Sequence, residues 1–140
     1  MIAYLDSSAI LRIIFGQPRA LKEWRSITQG VVSALAEVEC LRTLDRLRLT
    51  EKLPDAEIAV RRESVFRFME ALEVVELGRL VLSRASQPLP TTLGTSDAIH
   101  LATALLWKER SETDLVMATH DELLATAARA SGLRVIGMPA

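Results

Sequence analysis

One cysteine, Cys40, is the only thiol in a chain of 140 residues, so no internal disulfide can form and the composition suits a reducing cytoplasm. Histidine is nearly as scarce, with His100 and His120 alone. Basic charge is in no excess: 17 Lys and Arg stand against 18 Asp and Glu, a net charge of −1. That removes the global basic footprint common among nucleic-acid binders, although a local arrangement of the same bases can still form a positive rim. No apolar run reaches the roughly 18 residues that a membrane span needs. The opening "MIAYLDSSA" has no basic region and meets an acid at Asp6, so neither a secretory signal nor membrane attachment is expected. With 6 Gly and 5 Pro, and no repeat, linker or low-complexity tract, disorder and collagen-like order are excluded as well.

What is present is a globular composition, 49% hydrophobic and 25% charged, in a length that suits one domain over residues 1–140. "MIAYL" reads as a buried strand stopped by Asp6, Ser7 and Ser8, and the helix "SAILRIIF" follows and ends at Gly16. Residues 18 to 28, "PRALKEWRSIT", fit a second helix with Pro in its first turn, before "VVS" as the next strand. A long helix runs from Ser33 through "ALAEVECLRTLDRLRL", and Pro54 opens another through "MEAL". "EVVEL" is the third strand, "LGRLVLSRAS" a short helix, and "TSDAIHLATAL" the next helix. "DLVMAT", "HDELLATAARAS" and "LRVIGMP" complete the pattern as strand, helix and strand. Strands separated by helices of this length indicate parallel crossovers and an α/β domain with helices on both faces of the sheet.

In such a sheet every strand end and every following helix start lies on one edge, and that edge collects acids. Asp6 ends the first strand, Asp97 opens the helix before the fourth, and Asp121 follows the fourth. The acids of "SALAEVE" lie close to the same edge. With a strand order of 3-2-1-4-5 the switch in order falls between strands one and four, the usual ligand crevice of an open α/β sheet, and Asp6 and Asp121 flank it. Each acid also has a plain structural explanation. Asp6 makes a good helix cap, Thr119 with Glu122 forms a capping box beside Asp121, and Thr95 or Ser96 caps a helix whose dipole Asp97 complements. Taken together, several carboxylates at one crevice without matching Lys or Arg raise each other's pKa or call for a cation. Oxygen ligands without Cys or His suit Mg²⁺ or Mn²⁺ rather than zinc, and so select phosphoryl chemistry. No G-x-x-x-x-G-K-[ST] loop is present, Asp6 lacks the second Asp of an aspartyl-phosphatase motif, and neither histidine has a nucleophile-elbow Ser nearby.

"YLDSSAILR", "VVSALAEVECLRTL", "TSDAIHLATAL" and "MATHDELLATAARASGLRVIGMP" resemble, in order and spacing, the conserved blocks of PIN-domain ribonucleases, specifically the VapC-type toxins of toxin–antitoxin pairs. The resemblance runs from residue 1 to the end. It implies a PIN-like α/β/α sandwich with a central parallel sheet of order 3-2-1-4-5. It also implies a Mg²⁺- or Mn²⁺-dependent endoribonuclease acting on RNA, inhibited by a cognate VapB-type antitoxin and assembled as a homodimer or a higher complex with it. By position, the four acids of the family fall on Asp6, Glu39, Asp97 and Asp121, as metal ligands and catalytic residues. For the second acid, Glu37 is the reserve. At 100° per residue Glu39 shares a face with Leu35, Arg42 and Arg46, while Glu37 points nearly opposite.

Arg42 and Arg46 on that face are candidates for guiding a phosphodiester, against the alternative of a solvated charged face. Ser7 and Thr119 are candidate hydroxyls for orienting carboxylates or waters. His100, one turn deeper than Asp97 in an apolar run, reads as a packed helix residue rather than a base. Trp24 and Trp107 read as core or interface residues. The alternative function is a PIN-like module that binds RNA or a protein partner without cutting.

Overall fold

The computed structural model describes residues 1–17 and 20–139. Five short strands form one sheet: β1 (Ile2–Leu5), β2 (Gln29–Ser33), β3 (Glu73–Val75), β4 (Val116–Ala118) and β5 (Arg134–Ile136). All neighbours are parallel, in the order β3-β2-β1-β4-β5, the order expected. The helices are α1 (Ser7–Ile14), α2 (Ala34–Thr50), α3 (Asp55–Glu70), α4 (Arg79–Ala85), α5 (Thr95–Ser111) and α6 (Glu122–Ala130).

The two-residue period of a strand divides the core into two layers. Ala3, Leu5 and Val32 point to one face and pack with Ile10 of α1, Cys40 and Leu44 of α2, and Val65 of α3. Tyr4, Val31 and Met117 point to the other and meet Leu101 of α5 and Leu124 of α6. Both faces of the central strands are therefore covered, which is why "MIAYL" and "DLVMAT" read as continuous apolar runs and do not alternate.

The expected helix over residues 18 to 28 is not what forms. Pro18 and Arg19 lie outside the described residues, and Lys22–Ser26 is a 3₁₀ helix of 5 residues. Leu21, Trp24 and Ile27 recur every third residue, the 3₁₀ period rather than the 3.6 of an α-helix. That spacing turns all three toward the core of α1 to α3. There Trp24 stacks on Phe68 of α3, with ring centroids 5.0 Å apart.

Candidate active site

β1 and β4 lie side by side at the centre of the sheet, with Leu5 paired to Ala118. The chain leaves both strands at the same edge, and the Asp6 amide donates to the Ala118 carbonyl at 3.3 Å. Asp6 is the N-cap of α1 and accepts from the Ala9 amide at 3.0 Å. It is also 3% exposed, far more buried than capping requires. Its Oδ1 takes a second bond, from the Ser8 hydroxyl at 2.7 Å, and its Oδ2 accepts from the Thr119 hydroxyl at 2.5 Å. Three donors thus hold one carboxylate in a single orientation, with hydrogen bonds standing in for the water it gave up.

The same hydroxyls continue the network. Ser8 Oγ accepts from the His120 amide at 3.0 Å, and Thr119 Oγ1 accepts from the Asp121 amide at 3.0 Å. Asp121, not Thr119, caps α6, taking the Leu124 amide at 3.0 Å. The loop after β5 braces this turn: the His120 ring meets the Gly137 carbonyl oxygen at 2.7 Å. Gly137 has φ +103°, and a Cβ there would stand 2.4 Å from the Thr119 carbonyl oxygen, so backbone approaches backbone where only glycine fits.

Asp97 stands in the first turn of α5, whose N-cap is Gly94 rather than Thr95 or Ser96. Its carboxyl is raised above the ordinary range. Desolvation is the largest cause, and the charge of Asp121 is next; His100 opposes the shift, and Asp6 and Glu39 add to it. All four candidate acids therefore share one electrostatic neighbourhood. Glu39, on α2, keeps about a quarter of its side chain exposed, and its Oε1 lies 2.5 Å from His100 Nε2. Glu37, two residues earlier on the helix, takes part in no ion pair among the described residues. Arg42 and Arg46 are exposed, and Arg46 reaches Thr43 at 3.4 Å.

Two residues that touch the acids were not picked out as such from sequence. Ser8, not Ser7, bonds Asp6, because the second residue of the first turn faces back to the cap. His100 is 1% exposed, as expected of a packed residue, yet it bridges the Tyr4 hydroxyl, 2.6 Å from Nδ1, to Glu39. Cys40 is no nucleophile: burial pushes its thiol up to about 12, with Glu39, Asp6 and Glu37 adding to the effect.

The donor set fits a hard divalent cation. It is all oxygen, and no ion pair among the described residues takes up Asp6, Asp97 or Asp121. The mutual repulsion visible at Asp97 is what a cation at that edge would relieve. Among the described residues no three His, Cys, Asp or Glu side chains already form a metal-holding cluster, so the acids share an edge and a field rather than a single point. A cavity of about 460 Å³ lies apart from the four candidate acids, between β3, α4 and α5, against Val75, Val81 and Trp107.

The PIN domain family model matches residues 3–130. Ribonuclease VapC46 of Mycobacterium tuberculosis is 36% identical over 137 residues, covering 95% of each chain. Among solved structures, a toxin-antitoxin complex from Klebsiella pneumoniae matches with a TM-score of 0.64 at 15% identity, over 99% of this chain and 96% of that one. VapBC2 from Rickettsia felis, bound to a promoter DNA fragment, matches with a TM-score of 0.66 at 13% identity, over 96% and 97%. The chain belongs to the PIN-domain family, and a VapC ribonuclease is a relative along nearly its whole length. No helix among the described residues is long and apolar enough to cross a membrane.

Proposed function

We propose that the chain is a VapC-type endoribonuclease, a toxin that hydrolyses RNA phosphodiester bonds with Mg²⁺ or Mn²⁺ and is inhibited by a cognate VapB-type antitoxin. The observation that carries the reading is Asp6: a carboxylate almost fully buried at the sheet edge, oriented by three donors and placed in the field of further acids. A structural cap does not need that investment. The full-length likeness to a VapC ribonuclease supports the RNA-cutting activity.

In this reading Asp6, Glu39, Asp97 and Asp121 hold the cation. When bound, it supplies Lewis acidity and a counter-charge for the negative charge that builds on the scissile phosphate. The chain's own work is preorganisation. Ser8, Thr119 and the Ala9 amide fix Asp6, and the Thr119 hydroxyl also holds the turn that presents Asp121. Burial keeps Cys40 protonated and out of the chemistry. Exposed Arg42 and Arg46, on the helix that carries Glu39, supply positive charge for the RNA backbone, which positions the strand without reading its sequence. Exposed Leu77, Leu80 and Leu82 offer apolar surface of the kind that partners cover, in keeping with a homodimer or a higher complex with the antitoxin.

The test is to incubate the purified chain with RNA and with DNA of the same sequence in Mg²⁺, with and without the antitoxin. Fragments from RNA alone, suppressed by the antitoxin, are expected. RNA that is retained but stays intact would establish the non-cutting binding module instead.

A further inference from the structure

Tyr4, His100 and Glu39 form a chain of hydrogen bonds that runs from the core to the site. Tyr4 lies on β1, His100 on α5 and Glu39 on α2, so the chain of contacts joins three elements and both helix layers above the sheet edge. Tyr4 is 0% exposed and His100 1%, whereas Glu39 reaches the surface of the site. Polar groups so deeply placed are retained only when each finds a partner, and His100 finds its two in the Tyr4 hydroxyl and the Glu39 carboxylate.

The donor sense follows from the groups. An ionised carboxylate only accepts, so the proton between Glu39 and His100 belongs to Nε2. On a neutral ring Nδ1 is then left to accept from the Tyr4 hydroxyl, 2.6 Å away. Tyr4 thereby selects the ring tautomer, and the ring aims one oxygen of Glu39. Packing holds both aromatic rings, with centroids 5.8 Å apart in an edge arrangement, so neither can swing away without opening the core.

We infer that Tyr4 and His100 are positioning residues for Glu39, holding its carboxylate in the orientation in which its free oxygen serves a divalent cation. The inference rests on the metal-dependent reading above. His100 makes its contact through Nε2 to Glu39 and is not itself a ligand. Without it Glu39 loses its fixed rotamer, and the entropy of ordering that side chain must come out of the binding of the ion.

The test is Mn²⁺ binding by calorimetry to the full chain and to His100→Leu, His100→Gln and Tyr4→Phe, each first shown to be folded by circular dichroism. Outer partners of this sort typically govern about 10–100-fold in metal affinity, and His100→Leu should lose an amount in that range. His100→Gln, whose amide can still donate to Glu39, should recover most of it, and Tyr4→Phe should fall between. In the metal-free parent, ¹⁵N spectra should show His100 with a protonated Nε2. Parent binding with both His100 variants within twofold of it, or a protonated Nδ1 on a neutral ring, overturns the inference alone. Failure of the parent to bind Mn²⁺ at all overturns the metal-dependent reading and the inference with it.

Discussion

The hydroxyl of Thr119 donates to Oδ2 of Asp6 at 2.5 Å across 113 positions of sequence, tying the end of β4 to the end of β1 at the switch in strand order. Thr119 Oγ1 also accepts from the Asp121 amide, so one buried side chain serves two of the candidate acids. Thr119→Val keeps the shape but orphans both partners. It should cost about 1.5–3 kcal/mol, the range for a hydrogen bond to a charged group, and Thr119→Ser should cost much less. Urea unfolding of the three proteins measures it; equal midpoints for Val and Thr would show that the bond contributes nothing.

Glu39→Gln should abolish metal-dependent cleavage, whereas Glu37→Gln should leave it nearly intact. The two side chains are about 200° apart on α2, and it is Glu39 that meets His100 and contributes to the shift at Asp97. Reversed effects in a cleavage assay would transfer the second ligand position to Glu37.

Asp97→Asn should stabilise the metal-free protein at neutral pH while destroying activity. The carboxyl of Asp97 is raised in the folded chain by desolvation and then by Asp121. Its contribution to stability is therefore complete below the unfolded value, about 3.9, and is lost as pH rises through the higher folded value. The amide escapes that loss. Melting temperatures without metal should coincide below about pH 3.9 and separate in favour of Asn as pH rises. A separation that grows toward acid would mean that the sign of the shift is wrong.

Cys40 should resist thiol reagents in the folded protein, being 0% exposed with its thiol at about 12, and should react at once in denaturant. Rapid labelling of the native chain would contradict the packing of α2 against the sheet.

Much of the architecture was legible because it follows from local rules. Runs such as "MIAYL", helices of crossover length and an acid after the first and the fourth strand place Asp6 and Asp121 at one edge before any contact is known. The segment 18 to 28 misled because Leu21, Trp24 and Ile27 satisfy a helical spacing loosely and the three-residue period closely. Its stacking on Phe68 is a tertiary fact. Ser8 was hidden next to Ser7, since only the turn of α1 decides which hydroxyl reaches back to Asp6. The contacts of His100 with Tyr4 and Glu39 span 96 and 61 positions. The signal available was a histidine one turn after an acid on a buried helix face, which by itself describes packing equally well.

The most direct measurement of the central claim is the rate of RNA cleavage by the antitoxin-free chain and by its folded Asp6→Asn variant as Mn²⁺ is titrated in and then removed with EDTA. The parent should cut only with metal present and stop on chelation, and Asp6→Asn should not cut at any metal concentration that preserves its fold. Cleavage that persists undiminished in EDTA, or an Asp6→Asn rate within a few-fold of the parent, would contradict the assignment of this edge as a carboxylate-held metal site.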